Sequence, residues 1–257
     1  MSIGVKYMKI RNLEINKGKP AVCVPVTEKT AEDIISHIKE IAGEADIIEW
    51  RMDFFEDILS KKKLNEMFPL IREAAGDTPL LFTLRTDHEG GNFPMESGKY
   101  VEILTDCAAS GSADLLDVEY NAIPDVTTLI KVLKTRDIKV IASHHDFKQT
   151  PQIENMYNCL IKMKDSGADI VKLAVMPERP SDVIDLTEAT NEFHESFPET
   201  PLVTMSMGGL GSVSRISGGT FGSCITFGSD REASAPGQLD FRELKEIIRI
   251  LDEAGKN

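Results

Sequence analysis

Lys172 stands in the run GADIVKLAVMP, residues 167–177, flanked directly by Val171 and Leu173. A charged amine inside such a run must reach water, pair with a carboxylate or give up its proton. In an apolar enclosure the ammonium form is disfavoured, the pKa falls, and a neutral amine becomes able to attack a ketone and form an imine. The protonated imine is then an electron sink for a carbanion at the neighbouring carbon. The run KVIASHHDF, residues 139–147, offers a base for that carbon's proton. Alternation along a strand puts Ser143 and His145 on one face and His144 on the other, so His145 is the base and His144 is assigned no role. Glu89 or Asp146 is the carboxylate that orients the imidazole.

The same alternation recurs elsewhere. Ile47, Glu49, Arg51 and Asp53 share a face against Ile48, Trp50 and Met52, and Leu81, Thr83 and Arg85 share one against Leu80, Phe82 and Leu84. Glu49 and the arginines suit the hydroxyl and carboxylate groups of a small anionic ketone. Arg215, in MGGLGSVSR, offers a planar fork that matches a carboxylate in two-point contact. SAPGQ, residues 234–238, reads as a loop over the site. GGLG at 208–211 is a second, weaker reading, a phosphate cradle of the kind a sugar-phosphate aldolase would need.

These residues need elements to carry them. Strand-length apolar runs fall at 21–26, 46–53, 79–86, 115–120, 139–147, 169–176, 201–207 and 221–228. Amphipathic stretches fall between them at 31–44, 96–109, 125–135, 152–166 and 181–197, with a last helix at 241–254. Thr30 with Asp33 is a helix start signal, and Gly43, Gly76, Gly111 and Gly167 sit where helices stop. Strands alternating with helices imply a parallel sheet, and eight such units in 257 residues fit one α/β domain, a (β/α)8 barrel over 1–257. An open doubly wound sheet would carry a glycine-rich turn after its first strand, and VTEK is not one. The first twenty residues alternate as a short hairpin, expected to plug the barrel's bottom. The charged strand ends then lie at the C-terminal mouth, where barrels place their active sites.

Composition is that of a globular chain, 41% apolar and 28% charged, with a net charge of -13. Such a surface argues against nucleic acid or an anionic membrane as partner and leaves room for local cations that hold a small anion. The four cysteines are widely spaced and read as reduced thiols. No run resembles a targeting or membrane-spanning segment, so the expectation is a cytoplasmic protein.

EWRMD at 49–53, LRTDHEGG at 84–91, SHHDF at 143–147, ADIVKLAVMP at 168–177, MGGLGSVSR at 207–215 and SAPGQ at 234–238 occur in this order. Together they resemble type I 3-dehydroquinate dehydratase over residues 21–251. The resemblance implies a (β/α)8 barrel, a homodimer, and no metal or other cofactor. It also implies an imine between lysine and the C3 ketone of 3-dehydroquinate, followed by syn loss of water. By motif, Lys172 is the imine lysine, His145 the general base and acid, and Glu89 the partner of that histidine. Glu49, Arg51 and Arg85 match the substrate-binding set and Arg215 the carboxylate clamp. Ser234 and Gln238 match the closing loop, and Phe227, Met205 and Met207 the apolar walls. Two rivals are a class I aldolase and a silent barrel that only binds a similar acid. A third is a metal-dependent hydrolase using Asp87, His88, His144 and Asp146.

Overall fold

The computed structural model describes residues 8–15, 19–94 and 96–255. A two-stranded antiparallel hairpin, β1 (Met8–Ile10) and β2 (Leu13–Ile15), comes first. Eight parallel strands follow: β3 (Ala21–Val26), β4 (Ile47–Arg51), β5 (Leu80–Thr83), β6 (Leu115–Glu119), β7 (Lys139–Asp146), β8 (Ile170–Val175), β9 (Leu202–Ser206) and β10 (Ile225–Phe227). Sheet order follows chain order from β3 to β9, and β10 pairs with β3. The barrel closes where the Cys224 N–H donates to the Leu202 carbonyl beside the Leu202–Ser223 bridge. Each expected strand is present; β3 keeps its expected bounds and the others are shorter by one to five residues.

The helices are α1 (Ala31–Ile41), α2 (Lys61–Ala75), α3 (Ser97–Ser110), α4 (Val126–Lys134), α5 (Ile153–Asp165), α6 (Pro180–Ser196), α7 (Gly208–Ser217) and α8 (Phe241–Ala254). Thr30 caps α1 as expected, accepting from the Asp33 N–H. The sequence reading named neither α2 nor α7. Helix α2 is polar on average and carries Pro69, which weakens the periodic signal. Helix α7 begins in GGLG, a run that reads as loop.

Alternation divides the interior in two. Outward residues such as Ile48, Trp50, Phe82, Leu116 and Leu173 pack under the helices. Inward residues Ile47, Leu81, Leu115, Ile141 and Ile170 meet Ile10 and Ile15 of the hairpin. The hairpin thus stops the barrel's N-terminal end, and the cavity opens at the other. All four cysteines are free thiols, three of them buried. Among the described residues, no helix is long and apolar enough to cross a membrane.

Candidate active site

Lys172 sits mid-strand on β8 and is 4% exposed. Its Nζ lies 4.2 Å from the centre of the Phe227 ring and 3.6 Å from Oδ2 of Asp117. Of the three outcomes open to a lysine in this run, the structure shows an amine that faces a carboxylate. Asp117 is fixed from its other oxygen, which accepts from Ser143 Oγ at 2.6 Å and pairs with Arg85 at 2.9 Å. Burial alone would raise the Asp117 carboxyl, but Arg85 and Lys172 outweigh it and hold it below the usual range. Oδ2 has no hydrogen-bond partner among the described residues, so the side of Asp117 toward the lysine is left open.

Arg85 is the hub beneath the site. Its guanidinium donates to Glu119 at 3.0 Å and to Ser143 at 3.1 Å, besides its pairing with Asp117. Glu119 also accepts from the Thr86 backbone and hydroxyl. Asp117 and Glu119 went unnamed in the sequence reading. The signal was present, because LLDVE alternates them with Leu115 on the inward face of β6.

His145 presents Nδ1 to Glu89 Oε2 at 2.9 Å, which leaves Nε2 as the free ring nitrogen of a side chain that lines the cavity. Burial first, and Arg85 next, push the imidazole down to about 3 against the opposing contact with Glu89. The ring is thus neutral at neutral pH, the form a base requires. Glu89 is the orienting carboxylate. Asp146 instead accepts from the Lys148 and Gln149 backbone N–H groups. His144 makes a contact that the sequence reading did not foresee. Alternation sends it away from His145, yet its Nδ1 meets the other oxygen of Glu89 at 2.8 Å. The turn Asp87–Glu89 packs against the end of β7, where a single carboxylate reaches both sides of the strand.

The opposite wall is cationic and apolar. Arg215 lies on α7, is 1% exposed, and pairs with no carboxylate among the described residues. One guanidinium nitrogen donates to the Pro236 carbonyl at 3.2 Å, and Nε has no partner there. Burial pulls this guanidinium down to about 10. Arg51, by contrast, is held by Asp53 through two 2.9 Å bonds. Glu49 accepts from the Thr83 hydroxyl at 2.8 Å. Met205, Met207 and Phe227 form apolar walls beside Arg215, and Ser234 and Gln238 bond to one another over the mouth. The twelve residues that the motifs place in the imine site line one cavity, together with Gly90, Phe147, Ala174 and Ala235, whereas Asp87, His88, His144 and Asp146 do not line it.

GGLG is not an open cradle. Gly208 opens α7 and donates its N–H to Pro236 of the covering loop. A side chain at Gly211 would stand 2.2 Å from the Ser206 carbonyl, so this glycine lets α7 pack on β9. Among the described residues, no cluster of three or more His, Cys, Asp or Glu side chains is arranged to hold a metal ion.

The family model described as Type I 3-dehydroquinase matches residues 22–254. A 3-dehydroquinate dehydratase of Clostridium novyi is 41% identical over 96% of this chain and 98% of its own length. The type I 3-dehydroquinate dehydratase of Clostridium difficile, solved with covalently modified comenic acid, superposes with a TM-score of 0.93 at 38% identity, covering 97% of this chain and 99% of that one. The Geobacillus kaustophilus 3-dehydroquinate dehydratase gives 0.93 at 32% identity, over 98% and 99%. A barrel with a buried lysine, a carboxylate-held histidine and an arginine without a carboxylate partner among the described residues at one mouth agrees with these matches, and the chain belongs to the type I 3-dehydroquinase family of hydro-lyases.

Proposed function

We propose that this chain converts 3-dehydroquinate to 3-dehydroshikimate and water through an imine on Lys172. The observation that carries the reading is the placement of Lys172, a 4%-exposed amine at the floor of the cavity, beside the strand that bears His145. Lys172 adds to the C3 ketone and water leaves, giving the iminium. His145 takes the proton from C2 through Nε2, and the electrons flow into the iminium to form an enamine. The enamine expels the C1 hydroxyl on the same face, and His145 returns the proton to it. Hydrolysis of the product imine consumes the water released at the start, so the balance is one water lost.

Asp117 supplies a negative charge next to the developing iminium, and Arg85 holds that carboxylate in place. Arg215, with no internal counter-ion among the described residues, receives the substrate carboxylate. Glu49 and Arg51 hold ring hydroxyls, and Ser234 and Gln238 close over them. His145 carries the C2 proton and returns it to the departing hydroxyl, so the elimination itself calls on no cofactor. The packing of GGLG against Pro236 and β9 leaves no open phosphate cradle there, which favours a carboxylate over a sugar phosphate.

The reading extends to a shikimate-pathway enzyme acting in the cytoplasm as a homodimer, supported by the family alone. Light scattering at twice the monomer mass is the expected result for the dimer. The decisive test is borohydride reduction in the presence of 3-dehydroquinate, then digestion and mass spectrometry. A product-derived adduct on the peptide holding Lys172 supports the imine. Turnover with Lys172 unmodified overturns it, and no turnover at all would point to a barrel that only binds.

A further inference from the structure

Glu89 serves three donors with two oxygens. Oε2 takes the His145 ring at 2.9 Å and the His145 backbone N–H at 3.1 Å, and Oε1 takes the His144 ring at 2.8 Å. Arg85 waits 3.6 Å from Oε2. A carboxylate held at one oxygen alone can rotate about its terminal bond, and here it would turn toward that guanidinium. The bond to His144 opposes this rotation from the far side.

We propose that His144 is a positioning residue for the dehydration, resting on the dehydratase reading above. Its Nδ1–H pins the second oxygen of Glu89, and the pinned carboxylate keeps His145 in the tautomer with Nδ1–H toward Glu89 and a bare Nε2 in the cavity. His144 is suited to this and to little else. Its side chain is 27% exposed and belongs to neither apolar cluster. The same Nδ1 lies 3.1 Å from the exposed Asn121 amide, which must turn its oxygen toward the ring when Nδ1–H is given to Glu89. The contact with Glu89 also raises the His144 pKa, with burial opposing, as expected for a ring that donates to a carboxylate.

The test joins two readouts on the full-length chain. Nitrogen-15 shifts of the His145 ring report its tautomer without substrate, and steady-state kinetics with 3-dehydroquinate report its use. In the parent, His145 shows the single Nδ1–H tautomer at neutral pH. In His144→Leu the tautomers mix, and kcat falls about tenfold while KM stays within about twofold. In His144→Asn, whose amide nitrogen stands near the place of Nδ1, both return toward the parent. A His144→Leu variant with the parent's tautomer and kcat overturns the proposal. So does a folded His144→Asn that restores neither. If the parent does not turn over 3-dehydroquinate, the dehydratase reading fails, and the tautomer readout still decides whether His144 positions His145.

Discussion

The two ends of the barrel are cut from the same strands and have opposite chemistry. Ile47, Leu81, Leu115, Ile141 and Ile170 point inward at the N-terminal end and meet the hairpin. Two residues further along, Glu49, Thr83, Asp117, Ser143 and Lys172 succeed them, all buried and all polar. One step of the strand period therefore separates a dry plug from a charged site. The lower layer holds the strands in register by burying apolar surface. The upper layer removes charges from water and recovers the loss only partly through pairing, which suits a site that a substrate will complete. Stability and function are stacked in this barrel, so substitutions in adjacent layers should separate them.

The largest effect belongs to the upper layer. Lys172→Met is expected to cut turnover by at least about 10⁴-fold, as loss of a covalent nucleophile does, while the chain stays folded by circular dichroism. Turnover within about tenfold of the parent would remove the imine from the mechanism. Ile141→Ala, two residues before Ser143, should do the reverse. Deleting a buried aliphatic side chain costs about 2–5 kcal/mol of stability in denaturant unfolding. Its kcat and KM should stay near the parent's, and a KM that shifts along with the unfolding midpoint would show that the two layers are not separable.

Arg215→Met tests the comparison from the other direction. KM for 3-dehydroquinate should rise about tenfold to a hundredfold, since a charged two-point contact contributes about 1.5–3 kcal/mol. Stability should hold or increase, because a buried guanidinium without a counter-ion is replaced by an apolar side chain of similar length. An unchanged KM would take the clamp role from Arg215. A large loss of stability would mean that its bond to Pro236 holds the loop and the fold together.

The layers differ also in how far they could be read from the sequence. The strands, their parallel order and the inward placement of Glu49, Arg51, Arg85, His145 and Lys172 follow from a period of two, a local property. Asp117 and Glu119 obey the same period and were legible, but in LLDVE they are embedded among apolar residues without a nearby motif. The link from His144 to Glu89 was not legible. It depends on a turn 55 residues away that lies over a strand end, and alternation says nothing about what crosses there. Helix α7 was hidden for a different reason. Its Gly211 answers to contact with the Ser206 carbonyl on β9, and such close packing has no local signature.

Acid is the mildest probe, and its first effect falls on the upper layer. His145 falls from 6.5 in the unfolded chain to about 3 in the fold, chiefly through burial. Glu89 falls from 4.5 to about 2, where hydrogen bonds from His144 and His145 outweigh its burial. Both folded values lie below the unfolded ones, so the unfolded chain binds more protons in each window and stability rises with pH there. The His145 contribution is complete above about 6.5 and drains toward about 3, and that of Glu89 is complete above about 4.5 and drains toward about 2. His144, whose pKa is raised, has the opposite sign, stabilising below 6.5 and losing its contribution as pH rises above it. Between pH 6.5 and 4.5 the carboxylates lowered by pairing scarcely titrate, whereas Glu119, raised chiefly by burial, takes up its proton there in the folded chain with the opposite sign, so the His145 contribution is read as the difference between the parent and His145→Asn in denaturant unfolding. Relative to His145→Asn, the parent should lose stability as the pH falls across this span. Equal slopes in the two proteins would mean that the buried ring takes up its proton without opening the fold, and that the neutral base at the top of β7 is not held by burial.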